Sequence, residues 1–328
     1  MSVDRHMLHA LELAKRGLGN VWPNPAVGCV IVKDGLVIGR GWTQPGGRPH
    51  AEAMALAQAG ENARDAEVYV TLEPCCQPGR GAACTGAIIA ANIRKVFIAM
   101  GDPHPRVNGQ GIAVLRAAGI KIEVGVCEAE AAELNKGFLL TVTDRRPMVT
   151  LKMAVSADWK MTAGDAAQPW ITGAEARRHG HLLRATHDAI LVGVGTVIAD
   201  NPMLDCRIAG LEKFPPVRVV LDRNNRMPMN SKLMQTADRI PLWILKENMV
   251  PEVLKTLTEQ GITRLLVEGG RQVAQSILDA DMIDEIIIYQ SPNVVGDAGL
   301  SAPELPKNIS LKSEIKLGND TARHYVVG

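Results

Sequence analysis

The chain has 328 residues, 46% of them hydrophobic and 22% charged, with 36 Lys and Arg against 35 Asp and Glu for a formal charge of +1. That length exceeds what one ordinary core holds, so two globular domains are expected. Balanced charge without a basic run gives no sign of an electrostatic track for nucleic acid, and no apolar stretch is long enough to span a membrane.

In chain order, residues 3–17 read as a helix, Val27–Val32 as a strand and Leu36–Gly39 as its hairpin partner across Asp34-Gly35. A helix is predicted over 50–59, because Pro49 precedes His50 and Ala51, Ala53, Met54, Leu56 and Ala57 form an apolar face. Strand Val68–Leu72 leads into a cysteine loop, and a helix follows from Cys84 to Ile93. Val96–Met100 is a strand, Gly111–Ala118 a helix, Ile122–Val124 a strand and 128–142 a helix. This is the rhythm of a three-layer α/β sheet with site loops at strand ends. Asp144-Arg145-Arg146-Pro147 reads as a link, dividing the chain into domains 1–145 and 146–328. Beyond it come strand Met148–Val155, a helix over 173–184, strands Ala189–Val192 and Val217–Leu221, and a helix over 251–260. Strand Arg264–Glu268, a helix over 270–279 and strand Glu285–Gln290 complete a second α/β domain.

The residues with the most chemical content are His50, Glu52, Cys75 and Cys84. One imidazole and two thiolates suit zinc, and a catalytic zinc keeps its fourth position open for water. His50 and Glu52, two apart on a helix, diverge by roughly 200°, so the metal belongs off the helix end and Glu52 is the proton carrier. His-x-Glu followed by Pro-Cys and a later cysteine is the zinc deaminase signature, with the glutamate as acid/base; here the second cysteine comes later than usual. A structural zinc would need a fourth protein ligand, and the spare Cys76 adjoins Cys75. Cys29, Cys127 and Cys206 are scattered and read as reduced thiols. The charged start, Met1 to His6, is unlike a secretory signal, and a cytoplasmic location is expected.

Several stretches together carry a resemblance. Pro23-Asn24-Pro25-Ala26-Val27-Gly28-Cys29-Val30-Ile31-Val32, His50-Ala51-Glu52, Thr71-Leu72-Glu73-Pro74-Cys75, Gly79-Arg80 with Cys84, and Asp102-Pro103-His104-Pro105 with Gly109-Gln110-Gly111 resemble the pyrimidine deaminase half of the bifunctional riboflavin-biosynthesis deaminase-reductase family. Lys152-Met153-Ala154-Val155-Ser156, Trp170-Ile171-Thr172, Ala176-Arg177, Leu183-Arg184-Ala185, Asp200-Asn201-Pro202-Met203-Leu204 with Arg207, and Val267-Glu268-Gly269-Gly270 resemble its reductase half. The resemblance implies a cytidine-deaminase-like three-layer domain followed by a dihydrofolate-reductase-like α/β domain. It also implies Zn2+ and NADPH as cofactors, and phosphoribosylated pyrimidines as substrates.

Carried over position by position, the family's NADPH contacts fall on Ala154, Trp170, Thr196, Asp200, Gly270, Arg271, Gln272, Val273, Ala274, Gln275 and Ser276. Its substrate contacts fall on Asn24, Lys152, Gln168, Arg184, Leu204, Arg207 and Glu268. Arg184 and Arg207 suit a ribose phosphate through paired charge-assisted hydrogen bonds, although each alone reads equally as a solvated charge. Lys152 can orient or protonate the reacting sugar, or be a satisfied charge. Without the resemblance the cofactor signal is weak: Gly193-Val194-Gly195-Thr196 lacks the third glycine of a Rossmann fingerprint, and both it and Gly269-Gly270 read as loops. Strand-Glu-Gly-Gly-helix nevertheless places backbone N–H groups where a phosphate can approach closely.

The chain departs from the family pattern at Thr43, where a histidine is common, and along Gln77 to Ala83. Trp159 replaces a glycine, bringing a large side chain toward the expected cofactor cleft, and Gln168 stands where serine is common. Other assignments stay open at this point: a deaminase with an unrelated second domain, a deaminase with a degenerate reductase, or a non-catalytic module folded by zinc. Assembly as a homo-oligomer is compatible with the sequence and not specified by it.

Overall fold

The computed structural model describes residues 3–77, 83–161 and 170–328, and the chain divides into two compact units, Met1–Arg145 and Arg146–Gly328. The first runs α1 (Val3–Ala14), β1 (Gly28–Lys33), β2 (Leu36–Trp42), α2 (Ala51–Ala59), β3 (Glu67–Val70), α3 (Cys84–Ala90), β4 (Lys95–Ile98), α4 (Gln110–Ala117), β5 (Lys121–Val124), α5 (Glu128–Leu134) and α6 (Lys136–Thr143). Its sheet has the order β2-β1-β3-β4-β5, with β1 antiparallel to both neighbours and β3, β4 and β5 parallel. The β1–β2 turn is the Asp34-Gly35 pair, both with left-handed φ, as a two-residue hairpin requires.

Three glycines set the layering. A Cβ on Gly28 would lie 1.8 Å from the Ala10 carbonyl oxygen of α1, whereas Cβ atoms on Gly39 and Gly41 would strike Ala55 and Ala51 of α2. Gly41 is paired with Cys29, the neighbour of Gly28. Successive strand residues face opposite sides, so α1 and α2 cover opposite faces and close a buried core rich in Val, Ile and Ala.

The helix expected over 128–142 is in fact two, α5 and α6, broken at Asn135. The cause is tertiary: the buried Asn135 carboxamide accepts from Ala26 N at 3.0 Å and donates to Ala26 O at 3.1 Å. A buried amide satisfied in this way outweighs one turn of helix continuity.

The second unit contains β6 (Met148–Val155), α7 (Ala174–Ala185), β7 (Ala189–Gly193), α8 (Val194–Asp200), β8 (Val217–Leu221), α9 (Lys232–Gln235), β9 (Leu242–Leu245), α10 (Val250–Glu259), β10 (Arg264–Val267), α11 (Arg271–Asp279), β11 (Glu285–Gln290), β12 (Ile309–Leu317) and β13 (Asp320–Val327). Its eight strands run β12-β13-β11-β6-β10-β7-β8-β9, parallel except for the terminal hairpin and its junction with β11. The Gly193–Thr196 stretch, read as loop, instead opens α8, because Val194 and Val197 bury one helical face. Three elements carried no assignment from sequence: the one-turn α9, the edge strand β9 and the β12–β13 hairpin, whose outer strand is largely exposed.

The C-terminal end of α7 is tied to β6 by His187. Its Nδ1 donates to Leu183 O at 2.7 Å and its Nε2 accepts from the Thr150 hydroxyl at 3.0 Å. Burial, with Arg264 nearby, pushes the imidazole from the ordinary 6.5 down to about 3. The unfolded chain therefore binds a proton between those values that the folded chain does not, and stability falls as pH falls through that window. Denaturation midpoints should drop between about pH 7 and pH 4.5, and His187→Gln, which keeps a donor and an acceptor, should flatten that dependence. A second expectation concerns layer spacing. Gly41→Ala should cost about 1–3 kcal/mol, the range for overpacking, read as a lower denaturant midpoint for the first unit, since the new methyl would lie 2.0 Å from the Ala51 carbonyl oxygen.

Candidate active sites

His50 is the N-cap of α2 and Cys84 the first residue of α3, while Cys75 lies between β3 and α3. His50 Nδ1 is 3.3 Å from Cys84 Sγ and 3.6 Å from Cys75 Sγ, and all three ligand atoms lie within 4.8 Å of one another. Ligands of a tetrahedral zinc, bound at about 2.0–2.3 Å, are separated by about 3.5 Å, so the donor set fits that ion. Chemistry agrees with geometry. The Cys84 thiol and, against the cost of burial, the His50 ring draw Cys75 down toward thiolate, and the same thiolate pushes Cys84 up. A proton shared between two sulfurs is what a divalent cation displaces. The Cys84 amide also donates to Cys75 Sγ at 3.4 Å.

Cys76 Sγ turns away, toward Arg106 O and Gln110 Oε1. Among the described residues no fourth side chain joins the group, so a position is left for a small ligand. Glu52, in the first turn of α2 and only 4% exposed, has its carboxyl pushed upward by burial. It lines the same cavity of about 420 Å³ as His50, Cys75, Asn24 and Thr43. A carboxyl raised above its ordinary range and set in a cleft is suited to carry a proton.

Two further groups shape that cavity. Glu73, buried, accepts from Gly109 N at 2.9 Å and Ile112 N at 3.1 Å, holding the start of α4. Thr43, which also lines the cavity, accepts from Val27 N at 3.0 Å, so it and Asn135 together fix Ala26 and Val27. Glu73 stands inside a motif visible in the sequence, but its role as an anchor depended on seeing α4. Asn135 had no local signal. Gln77 is exposed, and Gly79 and Arg80 lie outside the described residues.

In the second unit a cavity of about 660 Å³ is lined by Lys152, Trp170, Arg184, Arg207 and Glu268, among others. Lys152 lies within β6, and Glu268 directly follows the C-terminal end of β10, where ligand clefts of parallel sheets occur. Arg184 makes a fork to Glu268, Nε to Oε1 at 2.8 Å and NH2 to Oε2 at 2.9 Å, and its NH1 donates to Asp205 O. Although burial alone would raise it, Arg184 and Lys152 hold the Glu268 carboxyl at about 2. Lys152 Nζ is 3.8 Å from Glu268 Oε2, and burial lowers its own pKa. Arg207 is 64% exposed and pairs with Asp205 at 3.4 Å. Of the two arginines expected to meet phosphate, Arg207 thus presents its guanidinium at the surface, while Arg184 has most of its hydrogen bonding directed to Glu268.

The residues expected at the cofactor are grouped in part. Gly270 N donates to Thr196 Oγ1 at 3.2 Å, joining the starts of α8 and α11. Gly269 does not leave space for a phosphate: a Cβ there would lie 2.7 Å from Val273, which also fills the hollow at Gly193. Ala274 is fully buried, whereas Arg271, Gln272 and Ser276 are exposed and Gln275 bonds Asp279. Ala154 is half-buried beside Tyr289, Asp200 ends α8, and Trp170 stacks with Arg177 at 5.2 Å. Leu204 is a core residue with left-handed φ, so only its backbone can meet a ligand. Gln168 lies outside the described residues. Trp159 does not line this cavity: it has φ +63°, and its indole donates to Pro303 O at 3.0 Å.

Two family models match the chain, one described as the cytidine and deoxycytidylate deaminase zinc-binding region over residues 1–100, the other as the RibD C-terminal domain over 147–322. The riboflavin biosynthesis protein RibD of Aquifex aeolicus is 40% identical over 96% of each chain. The chain belongs to the bifunctional RibD family. The counterpart from Escherichia coli is 37% identical over 93% of this chain and 92% of its own. Solved structures agree: RibD from Acinetobacter baumannii superposes with a TM-score of 0.91 at 37% identity, over 99% of this chain and 98% of its own. A diaminohydroxyphosphoribosylaminopyrimidine deaminase/5-amino-6-(5-phosphoribosylamino)uracil reductase from Thermotoga maritima gives 0.89 at 33% identity over the same shares. The RibD architecture makes the first unit a cytidine-deaminase-like zinc domain and the second a dihydrofolate-reductase-like domain.

Purified protein should contain one zinc per chain by metal analysis. Cys75→Ser and His50→Ala should lose it, whereas Glu52→Gln should retain it, because Glu52 is not among the three ligand residues.

Proposed function

We propose that residues 1–145 deaminate a phosphoribosylated diaminopyrimidine hydrolytically and that residues 146–328 then reduce its ribosyl side chain to ribityl with NADPH, two consecutive reactions of riboflavin biosynthesis. The observation that carries this reading is a three-ligand zinc site whose cleft also contains a buried carboxyl, on a chain that matches bifunctional relatives along nearly its whole length. Among the described residues no helix is long and apolar enough to cross a membrane, which accords with a cytoplasmic location.

When bound by His50, Cys75 and Cys84, zinc supplies Lewis acidity that activates water at neutral pH. The remaining work belongs to the protein. Glu52 takes the proton from the attacking water as oxygen adds to the amino-bearing ring carbon, then delivers it to the departing ammonia; burial raises its carboxyl, which favours taking up that proton. Asn24, just before the Ala26 and Val27 backbone fixed by Asn135 and Thr43, borders the cavity where the pyrimidine edge would lie.

In the second unit the cofactor supplies hydride. Gly270 and Thr196, with the first amides of α11, would hold its phosphates. Arg207 would take the ribose phosphate at the cavity mouth. Lys152, set against Glu268, can donate a proton to the substrate as hydride reaches the ribosyl carbon.

The test supplies the diaminopyrimidine phosphate and follows ammonia and NADPH separately. Glu52→Gln should reduce ammonia release about 100-fold or more, the range for general acid–base groups, and leave NADPH oxidation intact when the uracil intermediate is supplied. Arg207→Ala should leave ammonia release intact and weaken reduction. Joint loss of both activities in either folded variant would overturn the two-site reading.

A further inference from the structure

Tyr289 lies on β11 in register with Ala154, and strand alternation puts it on the face that carries Lys152 and Ile287. That face is covered by α7 through Ala176 and Leu183. The Tyr289 side chain is 1% exposed, yet its ring borders the reductase cavity. Lys152 Nζ sits 5.5 Å from the ring centroid, within the range at which an aromatic face attracts an ammonium. The Tyr289 hydroxyl is 2.6 Å from His179 Nδ1 on α7, and the two rings meet edge to face. Burial raises the Tyr289 hydroxyl and lowers the His179 imidazole, so a neutral phenol and a neutral imidazole share this bond.

Packing alone would be served by phenylalanine; the hydroxyl adds an orientation, since it pins the ring to a particular turn of α7. Five residues further along the same helix, Arg184 forks onto Glu268, the other group facing Lys152. One helix therefore fixes both surfaces that bracket the lysine, a ring face and a carboxylate.

We propose that Tyr289, anchored through its hydroxyl by His179, is a positioning residue for reduction: it seats the Lys152 ammonium at the cavity floor and acts through that lysine rather than through substrate binding. This rests on the reductase reading above. Steady-state reduction of the uracil intermediate by NADPH tests it on the full chain. Tyr289→Leu, which removes the ring face, should lower kcat about tenfold with KM for NADPH and substrate within about twofold, and leave ammonia release unchanged. Tyr289→Phe and His179→Phe should each lower kcat about threefold. The double variant should lose no more than either, because all three remove one and the same bond. Should Tyr289→Leu fail to fold, the phenylalanine pair decides alone. Unchanged kcat, a loss confined to KM, or losses that multiply in the double variant would overturn the proposal. A wild-type enzyme that oxidises no NADPH would overturn the reductase reading with it, whereas an active wild type with indifferent variants would overturn the positioning role alone.

Discussion

The zinc unit depends on how closely α2 approaches the sheet. Glycine at positions 39 and 41 lets the helix backbone rest on β2 with no side chain between, and that contact fixes where the helix begins. His50 at the cap and Glu52 in the first turn then need no further device to reach one cavity. The divergence of roughly 200° between residues two apart becomes useful here: the ligand leaves the helix at its end, and the carboxyl stays beside it, buried. Cys75 and Cys84 arrive from the other side, where the start of α3 gives an amide to one sulfur while presenting the other.

The reductase unit solves a different problem, that of keeping cations near a phosphorylated ligand without leaving them mobile. Glu268 is buried and would be costly alone; the fork from Arg184 and the nearby Lys152 hold it ionised. The cost is that Arg184 is no longer fully available to a phosphate, whereas Arg207 keeps its guanidinium exposed. Val273 illustrates another division of labour, since it fills the hollows of Gly193 and Gly269, so these glycines serve helix-on-strand packing while Gly270 is exposed and bonds Thr196.

Much of this was legible in the sequence wherever the signal was local. Apolar alternation and turn pairs located the inner strands, and His50, Glu52, Cys75 and Cys84 fell into one cluster as their chemistry required. What escaped had causes lying elsewhere in the chain. Asn135 breaks a helix to satisfy Ala26, 109 residues away. The β12 strand has no buried face to give it an alternating pattern, and α8 is too short for periodicity to outweigh Gly193 at its N-cap and Gly195 in its first turn. The bond from the Trp159 indole to Pro303, 144 residues away, likewise has no local signal. Leu204 and Ala274 show the limit of carrying positions over: a backbone may meet a ligand while its side chain belongs to the core.

The break between α5 and α6 joins two remote parts of the first unit through a single carboxamide. Because the Ala26 backbone it clasps adjoins Asn24 and Pro25 at the cavity wall, filling that cavity and closing the carboxamide clasp are linked equilibria. Amide protons in the last turn of α5 should therefore exchange with solvent more slowly once a pyrimidine is bound, although no atom of that turn lines the cleft.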